Sequence, residues 1–228
     1  MAKLLDLARM CNAVYENNPT VSGWKCKRFH KAKGGLNGFQ AASFTNGKET
    51  VVAFRGTAQV MDGVADFKLG TGMNSTYFSE GEKFATDNNP TIVTGHSLGG
   101  AIAQVVANRG GYVMASFNAP GVGVIASRNM LESNTTMNAV RIAGMALSAL
   151  RHPQQMGRDI VNAFNRVEGI NICLQHDAVS KIGNHYGKVK RIPGTGINPL
   201  KEHGIETVIK VLGQRMNAKL ADSPPSLV

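Results

Sequence analysis

A serine, an acid and a pair of histidines, far apart in the chain, are the residues whose types and spacing could do chemistry together. Ser97 stands in Gly95-His96-Ser97-Leu98-Gly99, a G-x-S-x-G pattern. Its flanks give the pattern meaning. Asn89-Pro90 marks a turn, and Thr91-Ile-Val-Thr94 is a short β-branched run suited to a buried strand. From Gly100 to Ala107 no breaker follows, and Ile102, Val105 and Val106 recur at helical spacing. Strand, sharp corner and helix together make a nucleophile elbow. Glycines at 95 and 99 let strand and helix close on each other, and the hydroxyl is held at the positive end of the helix. A serine so placed attacks carbonyl carbon. The plain alternative is a glycine-rich turn with no chemistry.

Serine is a weak nucleophile without a base, and the base needs an orienting acid. With an elbow of this type the acid and then the histidine follow the serine in the chain, which sets aside His30 and His96. Asp159 lies in a helical pattern and reads as a solvated charge. Asp177 directly follows the apolar run Val167–Leu174, at a strand end, where α/β sites gather. His185 occupies a turn-like stretch close behind that acid. His203 comes later, ahead of a helix, on a segment free to fold back over the strand ends. The spacing favours His203 and keeps His185 as the alternative. An oxyanion needs about two fixed donors. The N–H of Leu98 is one candidate, and Thr57, after strand 49–54 and the small Gly56, is the other.

Positioning these groups takes a sheet and its helices. Apolar residues from Leu4 to Tyr15 follow helical spacing and stop near Asn17-Asn18-Pro19; a basic loop around Trp24 follows. Segments 38–44 and 49–54 read as a hairpin about Asn46-Gly47. Segment 58–69 carries Val60, Val64 and Phe67 on one face and is closed by Gly70-Thr71-Gly72. A helix is expected over 78–87, strands over 112–117, 167–174 and 188–192, a mostly helical excursion over 124–165, and a helix over 205–212. The expected architecture is α/β, a central, mostly parallel sheet flanked by helices. It forms one domain over 1–221, with a flexible tail over 222–228.

Composition narrows the setting. Apolar residues make up 43% of 228 and charged ones 18%, which is globular rather than disordered. The net charge of +10 draws the surface to polyanions. Anionic lipid suits it better than nucleic acid, for which no recognition module is visible. Asp6 and Arg9 interrupt the N-terminal apolar pattern, so no signal peptide is read there. The tract 139–150, broken by Arg141, is too short to span a bilayer. A soluble chain is expected. Three cysteines make no disulfide framework; a Cys11–Cys26 bridge is the one pairing considered, and Cys173 reads as a buried thiol. His176, Asp177 and His185 lack metal-ligand spacing, so neither metal nor cofactor is expected.

Taken together, Val51-Val-Ala-Phe-Arg-Gly-Thr57 with Asp62 and Asp66, Val93-Thr-Gly-His-Ser-Leu-Gly-Gly-Ala101, Phe117-Asn-Ala-Pro-Gly-Val-Gly123, Asp177 and His203 resemble the class 3 lipase family, the fungal-lipase-like α/β-hydrolases. The resemblance runs with gaps from about residue 36 to 210. It implies Ser97 as nucleophile, Asp177 as orienting acid, His203 as base, and Thr57 and Leu98 as oxyanion donors. It also implies a lid over 58–69 bearing Val60, Met61, Val64 and Phe67, hinged at Thr57 and Gly70–Gly72. The chain departs from the family where many members have Pro-Arg-Val-Gly and it has Pro120-Gly121-Val122-Gly123, and in a shortened segment between lid and elbow.

The activity expected is serine carboxylester hydrolysis of lipid esters at a membrane or lipid interface, of lipase or phospholipase A type, through an acyl-enzyme. A non-catalytic lipid- or partner-binding module on the same scaffold is the alternative. A bacterial effector, exported by a leaderless route and countered by an inhibitory immunity protein, is a further expectation about setting.

Overall fold

The computed structural model describes residues 1–31, 38–56, 75–122 and 167–227. Thr57, the expected lid 58–69 with Val60, Met61, Val64 and Phe67, and the expected excursion 124–165 lie outside the described residues.

The described chain runs α1 (Leu4–Ala13), β1 (Lys25–His30), β2 (Ala41–Thr45), β3 (Thr50–Phe54), α2 (Ser75–Asn88), β4 (Ile92–His96), α3 (Leu98–Gly110), β5 (Val113–Phe117), β6 (Gly169–Leu174), β7 (Lys188–Ile192), α4 (Pro199–His203), α5 (Ile205–Leu212) and α6 (Ala218–Ala221). The strands form one sheet in chain order. β1, β2 and β3 are antiparallel neighbours. From β3 to β7 every pairing is parallel. The Asn46-Gly47 turn closes the β2–β3 hairpin: Gly47 has φ +87°, and Asn46 Oδ1 accepts from the N–H groups of Lys48 and Glu49.

Side chains alternate across each strand, so the sheet feeds two cores. On one face Phe44, Val51, Ala53, Phe117 and Ile172 pack under α1 and α5, through Leu7, Cys11, Val208 and Leu212. On the other, Val52, Phe54, Val93 and Met114 pack under α2 and α3, through Phe78, Phe84, Ile102 and Val105. β4 is buried along its whole length, which explains its unbroken apolar reading.

Several expectations need correction. The basic stretch after Trp24 is a strand, not a loop: β1 pairs with β2, with a register shift between Cys26 and Arg28. Its Lys and Arg content hides a strand pattern, as suits an edge that must not recruit another chain. Cys11 and Cys26 are not bridged. Cys11 lies beneath β4, its sulfur 3.3 Å from Thr94 Oγ1, whereas Cys26 is on β1, three strands away at the sheet edge. His203 does not sit on a loop before a helix; it ends the short α4, which Asn198 caps through Leu200 N and Lys201 N. Residues at the start of the expected 222–228 tail meet the N-terminus. Leu4 N donates to Ser223 O at 3.0 Å, and Lys3 pairs with Asp222 at 2.8 Å.

Candidate active site

The corner between β4 and α3 is one residue wide. Ser97 holds φ +55° and ψ −128°, a conformation that costs an L-residue energy and persists only where its surroundings impose it. They do so here. Ser97 N donates to Phe117 O at 3.1 Å, tying the corner to β5, and Ser97 O accepts from Gly100 N and Ala101 N. A Cβ on Gly95 would collide with the carbonyl of Gly99, and one on Gly99 with the carbonyl of Phe54. The two glycines are what allow α3 to start so close against β4 and β3.

Asp177 lies in the turn that leaves β6, its N–H on Leu174 O. Its carboxylate is fully buried and well supplied with donors: Val179 N at 3.2 Å on Oδ1, Ser180 N at 2.8 Å on Oδ2, and His203 Nδ1 at 2.8 Å on Oδ1. Burial alone would raise its pKa. The His203 hydrogen bond and charge, with the Ser180 bonds, outweigh burial and hold it below the ordinary carboxylate value. Asp177 is therefore the anion that fixes Nδ1 of His203 as the protonated nitrogen. That leaves Nε2 as acceptor, 2.9 Å from Ser97 Oγ. Hydroxyl, imidazole and carboxylate form one continuous line, with Ser97 7% and His203 1% exposed. Such a line can take the hydroxyl proton onto Nε2 while the carboxylate stabilises the imidazolium.

The histidine is held by its backbone as well as its ring. Asn118, with φ +46° at the end of β5, donates from Nδ2 to the carbonyls of Glu202 (2.7 Å) and His203 (3.0 Å), and its Oδ1 accepts from Leu174 N. One side chain thereby joins the segment carrying His203 to the strand that leads to Asp177. Glu202 Oε1 accepts from Thr195 N, Thr195 Oγ1 and Gly196 N, folding the 194–198 loop against α4. His96 Nε2 reaches the His203 carbonyl at 2.7 Å.

The structure brings Ser97, Asp177 and His203 together. It places Leu98 as the first residue of α3, whose opening N–H groups have no partner within the helix. His185 is elsewhere: its Nε2 bonds the Ala119 carbonyl at 2.8 Å, as a turn residue does. His30 packs beside Phe39 and Phe84. Among the described residues no group of His, Cys, Asp and Glu side chains is arranged to hold a metal. Sequence reasoning missed Tyr15, Asn118 and Glu202 and set His96 aside. Asn118 carried one signal, its place directly after a strand; Tyr15 and His96 carried none, because their partners are distant in sequence, and Glu202 carried none, because its partners lie in an irregular loop without periodicity.

Residues 6–217 match the phospholipase-like family described as the Tle-like phospholipase domain, and the chain belongs to that family. An extracellular phospholipase A1 of Serratia liquefaciens is 33% identical over 91 residues, 38% of this chain and 28% of that protein. Among solved structures, a Rhizomucor miehei lipase–propeptide complex shares 14% identity at a TM-score of 0.47 over 83% of this chain and 64% of its own. A triacylglycerol lipase of Penicillium expansum shares 14% at 0.45, over 99% and 91%. The chain thus spans just over a quarter of the length of the Serratia phospholipase. Its family, together with its own mostly parallel sheet flanked by helices, makes the protein a lipase-like α/β-hydrolase. Among the described residues no helix is long and apolar enough to cross a membrane.

Proposed function

We propose that the chain is a serine carboxylester hydrolase of lipid esters, with Ser97 as nucleophile, His203 as general base and Asp177 as its orienting acid. The observation that carries this reading is the unbroken contact from Ser97 Oγ to His203 Nε2 and from His203 Nδ1 to Asp177. Ser97 Oγ attacks the ester carbonyl as its proton passes to Nε2. The tetrahedral oxyanion is stabilised by the N–H of Leu98, with a second donor from Thr57. His203 returns the proton to the leaving alcohol or lysolipid. Water, activated by the same histidine, then hydrolyses the acyl-enzyme.

Phospholipid is the favoured substrate class, with cleavage of phospholipase A type. The family is phospholipase-like, and a charge of +10 suits an anionic lipid surface. The test is acyl-chain release from anionic phospholipid vesicles and from triglyceride emulsion by the intact protein and by Ser97→Ala. The expected result is release from the vesicles that exceeds release from the emulsion, and a fall of several orders of magnitude in kcat on substitution. Release undiminished in Ser97→Ala overturns the catalytic assignment. No release from either lipid favours a binding module, and release from the emulsion alone overturns the substrate class.

A further inference from the structure

A second line of hydrogen bonds runs behind the first and shares no atom with the proton path. The backbone N–H of Gly56 donates to Tyr15 Oη at 3.1 Å. Tyr15 Oη lies 3.3 Å from His96 Nδ1, and His96 Nε2 lies 2.7 Å from the carbonyl oxygen of His203. The direction of each bond follows from the groups themselves. A carbonyl only accepts, so His96 carries its proton on Nε2, and Nδ1 is left with a lone pair. The Tyr15 hydroxyl, already accepting from Gly56, donates to that lone pair. The line therefore reads Gly56 to Tyr15 to His96 to His203, each member donating to the next.

Both side chains stay uncharged. Burial first, and the neighbouring His203 second, lower the pKa of His96 to about 3, against smaller raising effects from its bond to the His203 carbonyl and from Asp177. Burial raises that of Tyr15, with Cys11 and Arg55 as its charged or ionisable neighbours. The rings of His96 and His203 stand 4.9 Å apart, so a protonated His96 would disfavour the imidazolium that forms on His203 during proton transfer. Gly56 is required at its place: a Cβ there would stand 2.6 Å from Tyr15 Oη and 2.7 Å from the His96 carbonyl. Gly56 follows β3 (Thr50–Phe54) by two residues, so its N–H ties Tyr15 to the end of that strand.

We propose that Tyr15 and His96 are positioning residues, a neutral relay that registers the segment bearing His203 against the end of β3. The relay holds the His203 carbonyl through His96 Nε2 while Asn118 Nδ2 holds the carbonyls of Glu202 and His203, and it references that backbone to the end of β3 at Gly56. Tyr15 has one task in this arrangement, to select the tautomer of His96. The His203 carbonyl favours the same tautomer, so loss of the hydroxyl removes one of two restraints and raises the share of the Nδ1–H form, which turns a lone pair toward that carbonyl and pushes the base off Ser97. The inference rests on the catalytic reading of Ser97 and His203, but the tautomer is measurable without any activity.

The test has two arms. In the first, nitrogen-15 NMR of the folded Ser97→Ala protein reads the His96 tautomer, and the same spectrum is taken with Tyr15→Phe added. The expected result is Nε2–H in the former and a shift toward Nδ1–H in the latter. An Nδ1–H or a charged His96 in the former overturns the proposal, whatever the enzyme does. In the second, kcat and KM are measured on a soluble short-chain ester for proteins that carry Ser97. Loss of one such hydrogen bond should lower kcat about 5- to 10-fold in Tyr15→Phe with KM within about twofold, because the bond positions the base rather than binds the ester. His96→Phe, which also removes the donor to His203, should fall further, by about 30- to 100-fold, and His96→Gln, which restores an N–H, should recover part of the loss. A Tyr15→Phe protein that melts lower but keeps its kcat shows a merely structural hydroxyl and contradicts the relay. So does a loss confined to KM. If the Tyr15 and His96 variants do not fold, the tautomer in Ser97→Ala decides alone.

Discussion

At the scale of single residues, Asp177 illustrates how environment assigns a role. It is wholly buried, yet every donor around it favours the anion, so it holds the Nδ1 proton of His203 rather than taking it. Asp177→Asn keeps the shape, but its amide N–H₂ can turn to Nδ1 and impose the wrong tautomer. Steady-state assays should show kcat lower by about 10⁴-fold with the protein still folded; a loss under tenfold would count against the role. His96 gives a signature in stability. Its folded pKa of about 3 lies below the ordinary 6.5, so between those values the unfolded chain binds the extra proton. Stability is therefore full above about pH 6.5 and falls as pH drops through it, by at most about 1.4 kcal/mol per pH unit. Urea titrations of the intact protein and of His96→Gln, from pH 4 to 7, should show the steeper acid loss in the intact protein. Parallel slopes would contradict the assignment. Ser97, Asp177 and His203 were legible in the sequence because elbow chemistry fixes their order and their strand-end contexts. Tyr15 and Glu202 were not, since a tyrosine just beyond one helix gains meaning only from Gly56 and His96 far along the chain, and a glutamate within another bonds an irregular loop that carries no pattern.

At the scale of elements, the β4–α3 corner carries the strain and the glycines that allow it. Gly99→Ala drives a methyl into the Phe54 carbonyl of the neighbouring strand, a backbone collision that no rotamer relieves. The expected cost is about 3 kcal/mol or more, a fall in Tm of roughly 6–12 °C by calorimetry. Gly196→Ala, with no atom within 4 Å of the added methyl, should leave Tm within about 2 °C. Equal effects of the two would sink the packing argument. Elements with strong internal patterns were readable: the Asn46-Gly47 hairpin, the buried β4 and the amphipathic α1 stand close to their expected bounds. β1 was not, because its lysines and arginines serve the edge and mask the pleat. α4 was not, because five residues with one Asn cap give too short a pattern for periodicity to detect.

At the scale of the whole molecule, the parallel run β3 to β7, with a core on each face, brings five strand ends to one side, and α4 brings His203 there to meet Ser97. The chain as a whole is basic, with a net charge of +10. Binding of folded Ser97→Ala to anionic vesicles should therefore weaken steeply between 50 and 500 mM salt, by about tenfold or more in sedimentation, since exposed charges are screened within a Debye length of roughly 4 Å at the upper value. Affinity that is insensitive to salt would show that charge does not govern docking.

On the proposed mechanism Ser97 is made reactive by His203 and not by any other histidine. Mass spectrometry of the protein after exposure to a fluorophosphonate measures this directly. One adduct per chain is expected, on Ser97, in the intact protein and in His185→Ala, with labelling slowed by orders of magnitude in His203→Ala. Labelling of Ser97 that survives the loss of His203, or that disappears with the loss of His185, would contradict it.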